Sequence, residues 1–201
     1  MGEQFKKPTD NEKKSILLHS CCAPCSTACI EALLPFFKVT VFYYNPNIDD
    51  EREYTKRKNE QIRFLKEFCS GVDFIEGEYE PQEFYTVARS LVNEKEGGKR
   101  CEECIKLRLY KTFYTAQTLH FDYFCSTLSV SPHKNAKFIN EVGLKLSENA
   151  TVKYLETDFK KNGGFLRSCE LSKQYGLYRQ NFCGCTYSRP NEERNEEKNE
   201  S

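Results

Sequence analysis

At 201 residues the chain is long enough for one α/β domain with a full hydrophobic core and short for two independent ones. Its formal net charge is zero, so composition gives no sign of a nucleic-acid partner, and no apolar run approaches the roughly 20 residues that span a bilayer. Eleven cysteines, an odd and clustered set behind a polar N-terminus without an export signal, argue against a disulfide scaffold and for metal or redox chemistry in a reducing cytoplasm.

Residues 15–20 form a short apolar run that stops at Cys21, and 26–37 has helical spacing of apolar positions, which predicts a strand, a cysteine-bearing turn and a helix. A second strand is expected over 39–44, ended by Asn45-Pro46-Asn47, then a charged amphipathic helix over 51–68. Further along, strands are expected at 72–75, 123–127 and 152–155, and helices at 82–92, 102–118 and 134–146, while Gly163-Gly164 reads as a loop. This alternation predicts an α/β fold, a parallel sheet with helices on both faces, whose ligands sit outside the carboxyl ends of the strands, where Cys21 lies.

The expected organisation is a flexible N-terminal extension over 1–14, one α/β domain over 15–190, and a disordered tail over 191–201 that carries five glutamates and no apolar residue. Without that tail the chain is modestly basic. Lys56-Arg57-Lys58, Lys99-Arg100 and Lys160-Lys161 are candidate phosphate contacts, to be weighed against ordinary solvated helix faces and loop ends.

Three cysteine motifs carry the chemistry. The first is His19-Ser20-Cys21-Cys22-Ala23-Pro24-Cys25, where thiols at the start of a helix feel its positive dipole end and ionise more easily. The second, Arg100-Cys101-Glu102-Glu103-Cys104, places two sulfurs three residues apart on one helix face, a two-ligand half-site. Together the two half-sites could close a four-thiolate centre of zinc or of iron and sulfide. The third is Cys183-Gly184-Cys185, a pair too close for an unstrained disulfide and hence suited to electron relay, with metal ligation as the alternative. Cys29, Cys69, Cys125 and Cys169 stand alone and read as small core residues.

Taken together, Leu17-Leu18-His19-Ser20-Cys21-Cys22-Ala23-Pro24-Cys25, Tyr44-Asn45-Pro46-Asn47 with Glu53-Tyr54 and Arg57, Arg100-Cys101-x-x-Cys104, and Tyr178-Arg179-Gln180-Asn181-Phe182-Cys183-Gly184-Cys185 resemble the cobalamin-independent epoxyqueuosine reductases, the QueH family. The resemblance implies a Rossmann-like fold akin to that of tRNA-thiolating enzymes. It also implies reduction of the epoxide of epoxyqueuosine in the tRNA anticodon loop to the cyclopentene of queuosine, with loss of water. A [4Fe–4S] cluster on Cys21, Cys22, Cys101 and Cys104 and a redox-active Cys183 and Cys185 pair are implied as well, with an electron donor of unknown identity.

Removing an epoxide oxygen takes two electrons and protons, whereas one cluster usually passes one electron at a time, so a nearby dithiol is a reasonable second store. An acid must assist C–O cleavage, and Asp158, just past the last expected strand, is the candidate, with an ordinary turn or cap aspartate as its alternative. Cys25, one helical turn from Cys21, could ligate the cluster, hold an additional iron ion, or stay free. Two rivals remain. Cys22-Ala23-Pro24-Cys25 also looks like a thioredoxin-type dithiol, which leaves Cys21, Cys101 and Cys104 without a purpose, and a zinc-binding RNA module would use the same four thiolates. An ATP-dependent tRNA thiolase would want a Ser-Gly-Gly-x-Asp-Ser phosphate loop where this chain has His19-Ser20-Cys21-Cys22-Ala23-Pro24.

Overall fold

A computed structural model describes residues 8–189. Five parallel strands, β1 (Lys14–Ser20), β2 (Phe37–Tyr43), β3 (Asp73–Glu76), β4 (Tyr123–Ser126) and β5 (Lys153–Tyr154), form one sheet in the order β3-β2-β1-β4-β5. Six helices connect or follow them: α1 (Ala23–Leu33), α2 (Glu51–Phe68), α3 (Pro81–Ala88), α4 (Lys99–Thr118), α5 (Ala136–Ser147) and α6 (Gly164–Gln174). The fold is α/β and consistent with a Rossmann-like arrangement, as expected.

Position in the sheet follows from side chains. β1 is central, paired on one side with β2 and on the other with β4, and its Ile16, Leu17 and Leu18 have no exposed surface at all. A strand covered on both faces reads as a continuous apolar run, which is what these residues are. The outer strands β3 and β5 are short and only partly buried, as sheet edges tend to be. Strand order reverses between β1 and β4, so the crevice beyond their carboxyl ends is the topological switch point, where such sheets bind ligands.

Local chemistry explains the boundaries. α2 starts where Asp50 caps it, its carboxylate accepting from the N–H groups of Arg52 and Glu53 at 2.8 and 3.3 Å. α1 begins at Ala23 with Pro24 in its first turn, three residues earlier than expected from periodicity, and so takes Cys25 into the helix. α4 also opens three residues early, at Lys99, which makes Cys101 and Cys104 fully helical.

One element contradicts the sequence reading. The Gly163-Gly164 pair is not simply a loop: Gly163, at φ +79°, is the left-handed cap position of α6, and Gly164 is its first residue. A Cβ on Gly164 would stand 1.8 Å from the carbonyl oxygen of Phe159, so this helix start requires glycine. The lone cysteines also divide. Cys29, Cys69 and Cys125 are buried, whereas Cys169, on α6, is half-buried and not a core residue.

Residues 1–7 of the expected extension and the whole acidic tail lie outside the described residues. Among the described residues no helix is long and apolar enough to cross a membrane.

Candidate thiol centre

Cys21 is the first residue beyond β1 and Cys22 is the N-cap of α1, so strand, turn and helix fix all three thiols of the first motif. The sulfurs of Cys21, Cys22 and Cys25 all lie within 4.8 Å of one another, and those of Cys21 and Cys22 are 3.8 Å apart. The Cys22 side chain caps no backbone N–H, which leaves its sulfur to the cluster of thiols. Hydrogen bonds from Cys22 and then Cys25 hold Cys21 well below the ordinary thiol range, while its two neighbours are pushed up by the same sharing. Thr127, directly after β4, joins from across the switch point: its hydroxyl accepts from the Cys21 backbone N–H at 3.4 Å and lies 3.7 Å from the Cys21 sulfur.

The second motif sits on the first turns of α4. Gly97 N–H donates to the Cys101 sulfur at 3.2 Å, and Cys104 is buried against Phe84, Ala88 and Cys185. Burial raises the Cys104 thiol to about 11, against the nearby Arg108 charge, which lowers it.

The third motif reaches the site as extended and turn backbone held by side chains. Arg57, 2% exposed, donates to the carbonyls of Cys183 at 3.1 Å and Phe182 at 3.4 Å, and its Nε donates to Glu53 at 2.6 Å. The Tyr178 hydroxyl donates to the same Glu53 carboxylate, Asn47 adds a bond to the Cys183 carbonyl, and Asp49 accepts from Thr186 N–H at 2.9 Å. Gly184, at φ +118°, is where the chain passes closest: a Cβ there would lie 2.7 Å from Ile48 and 3.2 Å from Arg57. Finally Gln180 donates to the Cys22 sulfur at 2.9 Å, and Lys134 donates to the Cys183 sulfur at 3.5 Å.

Two adjoining spaces result. A narrow cleft is lined by Cys101, Cys104, Cys183 and Cys185, and a cavity of about 590 Å³ is lined by Cys21, Cys25, Cys183, Thr127, Phe165 and Phe182 among others. Cys183, Arg108 and Lys134 line both. The structure thus gathers Cys21, Cys22 and Cys25 in one group and Cys101, Cys104, Cys183 and Cys185 in another, with the four positions assigned to a cluster by resemblance split between them. All are free thiols here.

Asp158 lines neither space. It lies in a turn, its carboxylate 3.6 Å from Lys161 and its carbonyl accepting from Lys161 N–H. The basic clusters are also reassigned in part. Arg57 and Arg100 are buried, Arg57 donating to the Glu53 carboxylate and to the Cys183 and Phe182 carbonyls, Arg100 through one nitrogen to the carbonyls of Leu91, Val92 and Glu94. Lys160 bonds the Lys134 carbonyl at 2.7 Å, and Lys58 pairs with Glu76 at 2.9 Å. Buried guanidinium groups that hold backbone carbonyls serve as braces for the chain.

Sequence reasoning missed Thr127, Lys134 and Arg108. Arg108 carried a readable signal, since it follows Cys104 by one helical turn and Cys101 by two, on the same face. Nothing local announces Thr127 or Lys134, which the fold brings from beyond β4.

The residues fit a thiolate-bound metal group on chemical grounds. Three sulfurs are close enough to share one ion, and N–H donors reach the sulfurs of Cys22, Cys101 and Cys183, the hydrogen bonding that sulfur ligands of iron–sulfur groups receive. Such a group would supply low-potential electrons one at a time when bound. Comparison with known proteins agrees in kind. Residues 16–191 match the sequence profile of a family described as epoxyqueuosine reductase QueH. The chain is 44% identical, over 92% of its length and 75% of the relative's, to a protein of Streptococcus pyogenes serotype M1 named epoxyqueuosine reductase QueH. Proteins of the same name from Acinetobacter baylyi and Thermotoga maritima are 38% and 36% identical, over 90% and 87% of this chain and 83% and 90% of theirs. With thiols of the matching motifs lining one pair of connected spaces and the match covering nearly the whole chain, this protein belongs to the epoxyqueuosine reductase QueH family and is an oxidoreductase.

Proposed function

We propose that this chain is a cytoplasmic enzyme that reduces the epoxide of epoxyqueuosine, carried in a tRNA anticodon loop, to the cyclopentene of queuosine with loss of water, the last step of queuosine formation. Cys21, Cys22, Cys101 and Cys104 are the ligands of a [4Fe–4S] cluster, Cys25 is free to hold an additional iron ion, and Cys183 and Cys185 form a redox-active pair. The observation that carries this reading is the position of Cys183, which lines both the cleft of Cys101 and Cys104 and the larger cavity beside Cys21 and Cys25. A dithiol there stands between a candidate one-electron centre and a space of about 590 Å³, which takes a nucleoside-sized group. Arg179 at the cavity wall offers a cation to an RNA backbone, so binding should weaken as salt rises. Asp158, whose Oδ1 is buried without a hydrogen-bond partner, is kept as the candidate acid for C–O cleavage.

The test is incubation of anaerobically reconstituted protein with epoxyqueuosine-containing tRNA and a strong reductant, followed by nucleoside analysis for queuosine. Single serine substitutions at Cys21, Cys22, Cys101 and Cys104 should each lower iron and acid-labile sulfide. Full retention of both in Cys101→Ser would remove that residue from the ligand set. Replacing Cys183 and Cys185 together should spare the cluster spectrum and abolish or strongly slow multiple turnover; a bleached spectrum would make the pair ligands instead.

A further inference from the structure

Arg108 is the least ordinary charge in the molecule. It is 1% exposed, on α4 one turn beyond Cys104, and forms part of the wall common to the thiol cleft and the large cavity. Its Nε donates to the Cys104 carbonyl at 3.3 Å, and among the described residues no carboxylate pairs with it. Of the other buried arginines, Arg57 has Glu53 and Arg189 has Asp49, while Arg100, like Arg108 without a carboxylate, gives one guanidinium nitrogen to three carbonyls. The one carboxylate lining the same walls, Glu96, is exposed and makes no ion pair with Arg108.

Thiols from all three motifs share its walls: Cys101, Cys104, Cys183 and Cys185 line the narrow cleft with it, and Cys21, Cys25 and Cys183 line the cavity. Lys134 adds a second cation at the Cys183 sulfur, half-buried and likewise without a carboxylate. Burying a guanidinium without a counter-charge is costly, and an anion present for part of the working cycle offsets that cost. Among the described residues, and apart from the exposed Glu96, the groups on these walls that can supply it are the thiols and what they bind.

We propose that Arg108 is a positioning residue whose permanent charge is the counter-ion of the reduced site, holding the negative charge that electrons bring into the thiol-lined cleft. When the thiolate-bound centre accepts one electron from an external low-potential donor, its negative charge rises by one and no bond to Arg108 forms or breaks. The guanidinium stabilises the charge in place. This inference rests on the cluster reading above and adds the residue that sets how readily the cluster is reduced.

The test compares Arg108→Gln and Arg108→Lys with wild type in a redox titration of reconstituted protein followed by electron paramagnetic resonance. Loss of the charge should disfavour the reduced cluster by about tenfold, a shift of about 59 mV to more negative potential for a one-electron couple, whereas the lysine variant should stay near wild type. Folding is checked by thermal melts, and Arg108→Met serves if the glutamine variant does not fold. In cluster-free protein the glutathione equilibrium of Cys183 and Cys185 gives a second readout, in which the glutamine variant should hold less of the reduced pair. Unchanged potentials in a folded Arg108→Gln protein, or a lysine variant shifted as far as the glutamine one, would overturn the proposal. Wild type without acid-labile sulfide would instead refute the cluster reading, and the glutathione arm would then decide on Arg108 alone.

Discussion

The thiols at the two ends of the chain are positioned by opposite means. Cys21, Cys22 and Cys25 are fixed by backbone: a fully buried central strand ends, a helix starts, and the sulfurs have nowhere else to go. Cys183 and Cys185 lie on a segment without α-helix or strand, and side chains of other elements, Arg57 above all, hold its carbonyls. The first arrangement is as stable as the sheet itself. The second depends on a few buried polar contacts, so it can be released without unfolding the domain.

Arg57→Ala should have the largest effect on that contrast. It leaves Glu53, 13% exposed, without its cation, the Phe182 carbonyl without a donor and the Cys183 carbonyl with Asn47 alone, at a cost of about 3 to 5 kcal/mol by analogy with other broken buried pairs. Limited proteolysis should cut near 178–189 while the sheet survives; resistance equal to wild type would show that the segment does not hang on Arg57. Gly184→Ala comes next, since its φ of +118° and the close approach of Ile48 cost about 1 to 3 kcal/mol. Alkylation of Cys183 should speed up, with Cys21 and Cys25 unaffected. A variant with native reactivity at all three would mean that the turn adapts.

Gln61→Leu sharpens the other half. The Gln61 side-chain oxygen accepts from Ser20 at 2.7 Å and Ser26 at 3.0 Å, so the change should cost about 1 to 3 kcal/mol on denaturation yet leave the reactivity of Cys21, Cys22 and Cys25 within twofold. A large change would show that side chains, not backbone, set the first motif. The smallest effect is expected at Asp122, which ties the starts of β1 and β4 at the end of the sheet away from the thiols. Hydrogen bonds from the Ser15 N–H and hydroxyl, with Lys14 nearby, lower its carboxyl below 3.8. Its contribution is present above that value and is lost as acid protonates the folded form. Asp122→Asn should therefore be slightly less stable at neutral pH, with the gap closing below about pH 4; a gap that widens in acid would contradict the assignment.

Much of the fold could be read from sequence because its signals are local. α2 spans the expected residues, helped by an aspartate cap and a strong charge pattern, and the apolar run of β1 announces a central strand. α6 escaped because its start depends on a left-handed glycine that reads as punctuation. In the site, spacing picked out the seven cysteines that the fold gathers into the two sulfur groups. The grouping of those cysteines was hidden, because Gln180, Lys134 and Thr127 reach them from far along the chain. Arg57 and Arg108 look like surface charges in a linear string, and only burial shows that one braces backbone and the other faces sulfur.

The sequence separation inside the site bears on how the protein is made. Gln180 reaches the Cys22 sulfur from 158 residues later in the chain, so at ribosomal speeds of roughly 5 to 20 residues per second the first thiols are synthesised on the order of ten to thirty seconds before their last partner. During that interval three adjacent cysteines stand uncovered to oxidants and to stray metal ions. A cell that slows synthesis late in this message would lengthen the exposure of its first motif.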